Sequence, residues 1–405
     1  MFNRGGVFKV HGENFKNNYD RAVNRVANFF FKQVFWEVYI VYAWKGVCVL
    51  KLAVLGAGHG GVAMSADLTL AGHEVNLFEV PECKEAFRKI EETKEIEIDG
   101  AARPGKAKLR KATTDIEEAM EDVDHVIVVV PAFAHQRMAE LCIPYVQPGQ
   151  FIFVVPGSFG SFYFYKKLME LKGSGDFTVA ETSTLPYGTR KTGDNSITVH
   201  IRTVNLPMGV LPPHKTTEAV QLFRQFYPET TPCSNILDSA LSNTNPVIHV
   251  APTLLNTGRI EYADDFYLYR EGMTESVRKV MLAADRERIA VRKAFGLPEP
   301  HYVLPRDSYE VFRDQFGEGA LQAGQKMRGP LSLEDRFVTE DVPFGMVFYS
   351  SMARLAGVET PICDSLINIA SVINTRDYFS EGRNLKALGL EDWSRDQLLS
   401  YLQEG

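Results

Sequence analysis

The chain lacks paired cysteines. Its five (Cys48, Cys83, Cys142, Cys233 and Cys363) stand far apart, and its nine histidines are dispersed. No C-x-x-C or comparable spacing offers a zinc site, so no metal is expected, and unpaired thiols suit the reducing cytoplasm. A long apolar run is also missing. The most apolar stretch near the start, Phe29 to Trp44, is broken by Lys32 and Glu37, and its charge-free part falls far short of the roughly 20 residues that span a bilayer. No membrane partner is expected. Nor is there a basic surplus: 44 Lys and Arg against 51 Asp and Glu leave a net charge of −7, which argues against a nucleic-acid surface. No internal repeat is evident. What remains is the composition of a globular protein, 45% hydrophobic and 23% charged, and 405 residues suffice for two cores.

The first 46 residues depart from this pattern. Through residue 50 the chain carries seven Lys and Arg against three Asp and Glu, a surplus of +4 that leaves the rest at −11. They make no convincing signal peptide, since the apolar part sits late and lacks a small-residue cleavage site. Residues 1–46 are therefore expected to be an atypical, poorly ordered leader, or upstream translation from a start-site error. An amphipathic helix on a membrane surface is the second reading.

The stretch that organises the chain follows. Leu52-Ala53-Val54-Leu55 reads as a strand buried on both faces, ending in Gly56-Ala57-Gly58-His59-Gly60-Gly61. This G-x-G-x-x-G opens a helix to about Ala71, and a strand over Glu74 to Phe78 comes next, which is the context a dinucleotide-binding turn requires. Gly56 permits the tight turn, Gly58 lets a pyrophosphate approach, and Gly61 lets helix and strand pack closely. His59 and Gly60 complete the turn, where helix N–H groups and the dipole favour phosphate. Glu79, 23 positions after Gly56, suits the adenosine ribose hydroxyls. NAD(H) is the preferred cofactor, with NADP(H) left open by Lys84 and Arg88.

Asp124 to Val130 and Phe151 to Val155 repeat the buried-strand type. In a doubly wound sheet the turns after them, Pro131 to His135 and Pro156 to Gly160, face the ligand. Pro131, His135, Gly157 and, after a short strand at Phe177 to Ala180, Thr182 are candidate cofactor contacts. For Gly157 and Thr182 ordinary turn chemistry is the competing reading, and for His135 a catalytic role is. Glu95 to Lys111 reads as a small hairpin decorating the sheet, and residues 197–211 as two alternating strands before a helix at Thr216 to Phe226. From Asn235 the pattern is helical, with stops at Gly258, Gly296, Gly357 and Gly389. The expected fold is an α/β Rossmann-type doubly wound domain over 47–232, followed by an all-α domain over 233–405 that supplies substrate-binding and catalytic groups.

Hydride transfer needs a proton donor or acceptor beside the reacting carbon, and the helical part must provide it. Asn245-Pro246 opens a helix on which His249, Thr253 and Asn256 form one polar stripe at i, i+4 and i+7. That makes His249 a candidate acid–base group and Thr253 and Asn256 candidate substrate contacts. In Asp335-Arg336-Phe337-Val338-Thr339-Glu340-Asp341-Val342-Pro343, Arg336 could fork onto a carboxylate and Asp341 could hold the second nitrogen of His249. On spacing alone, a capping aspartate and a surface arginine compete with both roles.

GAGHGG, AETSTLPYG, NTNPVIHVAPTLLNTG and DRFVTEDVPFGMV together resemble the octopine/nopaline (opine) dehydrogenases, from about residue 50 to the end. The resemblance implies reductive condensation of a 2-oxo acid such as pyruvate with an amino acid through an imine, using NADH or NADPH. It also implies catalytic roles for His249, Arg336 and Asp341, with small-molecule substrates as the partners. A homodimer is a possible assembly. Two departures touch the cofactor face: Val155 precedes Pro156-Gly157 where an asparagine is expected, and Tyr163 sits near a place where many relatives carry an acid. Simple reductases of the ketopantoate reductase or glycerol-3-phosphate dehydrogenase type share the two-domain plan. They rely on a lysine, which neither the His249 nor the Asp341 motif contains. A non-catalytic NAD-sensing protein is the remaining alternative, against which the intact His249, Arg336 and Asp341 set argues.

Overall fold

The computed structural model describes residues 49–173, 175–304 and 328–404. The leader expected over 1–46 lies outside them. The described strands are β1 (Lys51–Leu55), β2 (Glu74–Phe78), β3 (Glu95–Gly100), β4 (Gly105–Lys108), β5 (Lys111–Thr113), β6 (His125–Val128), β7 (Phe151–Val154), β8 (Thr178–Thr182), β9 (Tyr187–Lys191), β10 (Ser196–Arg202), β11 (Leu206–Leu211) and β12 (Thr230–Pro232).

The main sheet runs β12-β11-β8-β7-β6-β1-β2-β5. From β5 to β8 every neighbour pairs in parallel, and β11 pairs antiparallel with β8. After β1 the chain builds outward through β2 and β5, then crosses to lay β6 on the other side of β1. The order of strands therefore reverses between β1 and β6, and a crevice opens at their carboxyl ends. Helices on both faces explain why β6 and β7 read as unbroken apolar runs. Strand β11 is buried along its whole length rather than alternating.

Glu95 to Lys108 does not decorate this sheet. β3 and β4 join β9 and β10 in a second sheet of order β4-β3-β10-β9. The reason lies in the helix His59–Leu70, which is buried continuously from Gly61 to Leu68 and so needs cover on its outer side as well. Its buried Asp67 accepts from Arg103 at 2.7 Å and from the Tyr187 hydroxyl at 2.5 Å. That pairing anchors β9 and the β3–β4 connection to the helix.

The helical half includes Asn245–Leu254, Glu275–Ala294, Val347–Ala356 and Pro361–Ile373. Its apolar side chains join those of one face of the main sheet in a single cluster. Gly296, Gly357 and Gly389 are helix stops in left-handed conformation, with φ of 67°, 70° and 65°. Gly258 is not a stop: it lies inside the short helix Thr257–Tyr262. The preceding helix has already ended at Leu254, two residues after Pro252, whose missing N–H cannot bond the Ile248 carbonyl.

Candidate active site

The glycine turn sits at the crevice. Gly56, with φ of 111°, faces the Val129 carbonyl, which a β-carbon would approach to 2.4 Å. At Gly61 a β-carbon would lie 1.8 Å from the Gly56 carbonyl, so helix and turn touch backbone to backbone. At Gly58 a β-carbon would meet nothing within 4 Å. That open space, beside the N-terminus of the helix, is where a phosphate fits. Glu79 accepts from the Ala57 N–H at 2.9 Å and the Val80 N–H at 2.8 Å, which fixes its carboxylate beside the turn. His59 is exposed at the turn, and its Nδ1 accepts from the Lys191 N–H at 3.0 Å. Burial and the charges of Arg190, Lys191 and Arg336 hold its imidazole below the usual range. These residues fit a dinucleotide.

The two neighbouring turns are built differently from expectation. His135 is 1% exposed and packs under Arg383, 3.3 Å from its Nδ1, so it is a buried partner of that guanidinium rather than a surface for phosphate. Thr182 is likewise buried, its hydroxyl spent on the Thr184 carbonyl at 2.8 Å. Gly157 is constrained by the Glu181 side chain, 2.2 Å from where a β-carbon would sit. Glu181 accepts from the Phe159 and Ser161 N–H groups at 2.9 and 3.1 Å, and burial pushes its carboxyl up to about 7. On the other side Arg383 donates to the carbonyls of Gly157, Ser158 and Ala132. Its guanidinium lies over the rings of Tyr163 and Phe344. The Tyr163 hydroxyl donates to the Ala387 carbonyl at 3.1 Å. Glu340 accepts from the Ala132 N–H at 2.9 Å, so the Pro131 turn is gripped twice from the helical half.

His249 is buried on the helix Asn245–Leu254. Its Nδ1 lies 2.7 Å from an Asp341 carboxylate oxygen and its Nε2 lies 3.0 Å from the Tyr269 hydroxyl. Phe337 stacks flat on the ring, centroids 3.9 Å apart. Two wide turns aim these partners. Tyr269 stands in the π-helical turn Leu268–Gly272, and Asp341 immediately precedes the π-helical turn Val342–Met346. The second turn docks on the His249 helix at Gly345, where a β-carbon would strike Pro246 at 2.2 Å. Asp341 makes no cap bond; Asp335 is the residue that caps Arg336–Thr339, through the Phe337 N–H. Arg336 is exposed, and its charge reaches both the Tyr269 hydroxyl and Arg190.

The rest of the polar stripe does not reach this pocket. Thr253 is fully buried, with no hydrogen-bond partner for its hydroxyl among the described residues. Asn256 falls beyond the helix end, and its amide donates to the Pro252 and Gly272 carbonyls at 2.7 and 2.9 Å. Asn256 takes this helix-end role because the helix has stopped before the third position of the stripe could face the same way. Tyr269, Phe337, Glu340, Glu181 and Arg383 escape sequence reasoning. Of these, Glu340 and Phe337 carry a signal by lying inside the Arg336 to Asp341 motif, and Glu181 by lying inside AETSTLPYG.

A family model described as NAD/NADP octopine/nopaline dehydrogenase, alpha-helical domain, matches residues 232–374, and one for the NAD-dependent glycerol-3-phosphate dehydrogenase N-terminus matches residues 51–156. An opine dehydrogenase of Arthrobacter sp. (strain 1C) is 32% identical over 347 residues, covering 84% of this chain and 94% of that one. The octopine dehydrogenase of Pecten maximus is 23% identical, covering 82% and 92%. Among solved structures, octopine dehydrogenase with NADH and pyruvate aligns with a TM-score of 0.67 at 20% identity, covering 87% of this chain and 98% of that one. Yersinopine dehydrogenase with NADP+ bound aligns at 0.62 and 14%, covering 88% and 98%. A ketopantoate reductase from Ralstonia eutropha JMP134 aligns at 0.56 and 18%, covering 80% and 99%.

Proposed function

The chain belongs to the octopine/nopaline (opine) dehydrogenase family, and on that premise we propose that it condenses a 2-oxo acid such as pyruvate with an amino acid at His249. It is an NAD(P)H-dependent opine dehydrogenase, an oxidoreductase acting on CH–NH bonds. The observation that carries the site assignment is the set of contacts around one imidazole. With Nδ1 committed to Asp341 at 2.7 Å, Nε2 is left as the nitrogen that exchanges protons. Asp341 fixes the tautomer, and Phe337 fixes the plane of the ring.

His249 takes a proton from the ammonium of the amino acid so that the amine can attack the oxo carbon. It returns a proton to the resulting hydroxyl, which leaves as water and gives the imine. Arg336 binds a substrate carboxylate. A bound reduced nicotinamide supplies the hydride. Gly56, Gly58, His59, Gly60 and Gly61 hold its pyrophosphate, Glu79 the adenosine ribose, and Pro131 and Gly157 flank the crevice. The Glu79 carboxylate disfavours a 2′-phosphate, so NADH is the preferred form. We assign residues 47–232 to the nucleotide half and 233–405 to the substrate half. We propose a cytoplasmic setting. Among the described residues no helix is long and apolar enough to cross a membrane.

The test is NADH oxidation with pyruvate alone, then with a panel of amino acids, repeated with NADPH. Oxidation that requires both an oxo acid and an amine is expected. Oxidation by the oxo acid alone would move the assignment to a simple reductase. His249→Asn should lose roughly 100- to 10,000-fold in kcat while NADH fluorescence titration stays unchanged.

A further inference from the structure

We propose that Tyr269 is a catalytic residue of this reaction, its hydroxyl carrying the proton between His249 and the substrate. The inference rests on the assignment of His249 above. The Nδ1 of that ring is held by Asp341 and one face is covered by Phe337, and the Tyr269 hydroxyl stands 3.0 Å from Nε2, on the nitrogen that must exchange protons. The phenol is only partly buried, and the charges of Arg336 and Arg190 reach its oxygen. The hydroxyl is thus in contact with the imidazole and within electrostatic reach of the guanidinium assigned above to a substrate carboxylate. Desolvation raises its pKa above the ordinary phenol range, so at working pH it remains a phenol that can both accept and donate.

The step balances as follows. After amine attack His249 is protonated and the substrate is a carbinolamine. The Nε2 proton passes to the phenol oxygen as the phenol proton passes to the carbinolamine hydroxyl. The C–O bond breaks, water departs with that electron pair, and the nitrogen lone pair closes the C=N bond. Neutral imidazole and neutral phenol remain. A phenol that bridges in this way is used twice per turnover, once in each direction, and is never consumed.

Tyr269→Phe removes one oxygen and leaves the ring. The expected result is a fall in kcat of roughly 10- to 1,000-fold with the oxo-acid KM and NADH affinity within about twofold. In mixed H2O/D2O the parent enzyme should give a bowed dependence of kcat on deuterium fraction, because two protons move together. Tyr269→Phe should give a straight line. Full kcat in Tyr269→Phe would overturn the proposal, as would a lowered kcat with the bowed dependence retained, since the tyrosine would then merely position His249. A parent enzyme with a straight line also sinks it. The His249 assignment is read separately: an active His249→Asn defeats both ideas, whereas an inactive His249→Asn beside a fully active Tyr269→Phe defeats only this one.

Discussion

Arg383 is 1% exposed, and its two terminal nitrogens donate to three backbone carbonyls from two turns that lie far away in sequence. Removing it strands those carbonyls, and each hydrogen bond from a charged donor contributes about 1.5–3 kcal/mol. Arg383→Met should therefore lower unfolding free energy by about 3 kcal/mol or more, read in urea, and weaken NADH binding because both turns border the crevice. The two groups beneath it titrate in opposite senses. Burial, then the charge of Arg383, holds the His135 imidazole well below its usual range, so an unfolded chain binds a proton below about pH 6.5 that the folded one refuses. That makes stability fall toward acid. Glu181 is pushed up to about 7 by burial, so the folded chain keeps a proton that the unfolded one loses, and stability falls as pH rises toward 7. Over about pH 5 to 6.5 the two slopes oppose each other. Glu181→Gln should unmask the histidine, steepening the acid-side loss by about 1.4 kcal/mol per pH unit in thermal or urea melts. None of this was legible in the sequence, where a single arginine in Ser-Glu-Gly-Arg-Asn has no partner in view. His249 and Asp341 were legible because two motifs in a fixed order carry them.

At the scale of elements, the glycine turn separates two jobs that the motif merges. Gly61→Ala would drive a β-carbon to 1.8 Å from the Gly56 carbonyl, so the helix His59–Leu70 must shift off β1. Expression or melting temperature should suffer severely. Gly58→Ala meets no protein atom, so its melting temperature should stay near that of the parent while NADH affinity falls about tenfold or more, because the methyl enters phosphate space. Equal losses in both variants would contradict this division. The strands were readable because parallel pairing buries both faces and leaves unbroken apolar runs. The left-handed glycine stops were readable for steric reasons. The π-helical turns at Leu268–Gly272 and Val342–Met346 were not, since widening a helix by one residue leaves no periodic trace. They nonetheless decide where Tyr269 and Asp341 point, and Asn256 left the stripe of His249 and Thr253 for the complementary reason that a helix extrapolated through Pro252 stops too soon.

Among the described residues from 50 onward, the nucleotide and helical halves meet through ring contacts and a hydrogen bond. Phe159 stacks on Phe348 with centroids 5.1 Å apart, Phe162 meets Tyr401 at 5.7 Å, and Glu340 holds the Ala132 N–H. Glu340→Ala should cost that one bond, loosening the Pro131 turn and raising the NADH dissociation constant severalfold with little change in melting temperature; an unchanged constant would refute the coupling. The shared apolar cluster carries a larger consequence for anyone wishing to recombine members of this family. A crossover near residue 232 looks like a natural seam, yet it would pair one parent's Phe159 and Phe162 with another's Phe348 and Tyr401. A working chimera must inherit both sides of that stack together, so a junction at residue 232 divides a packed core and not a hinge.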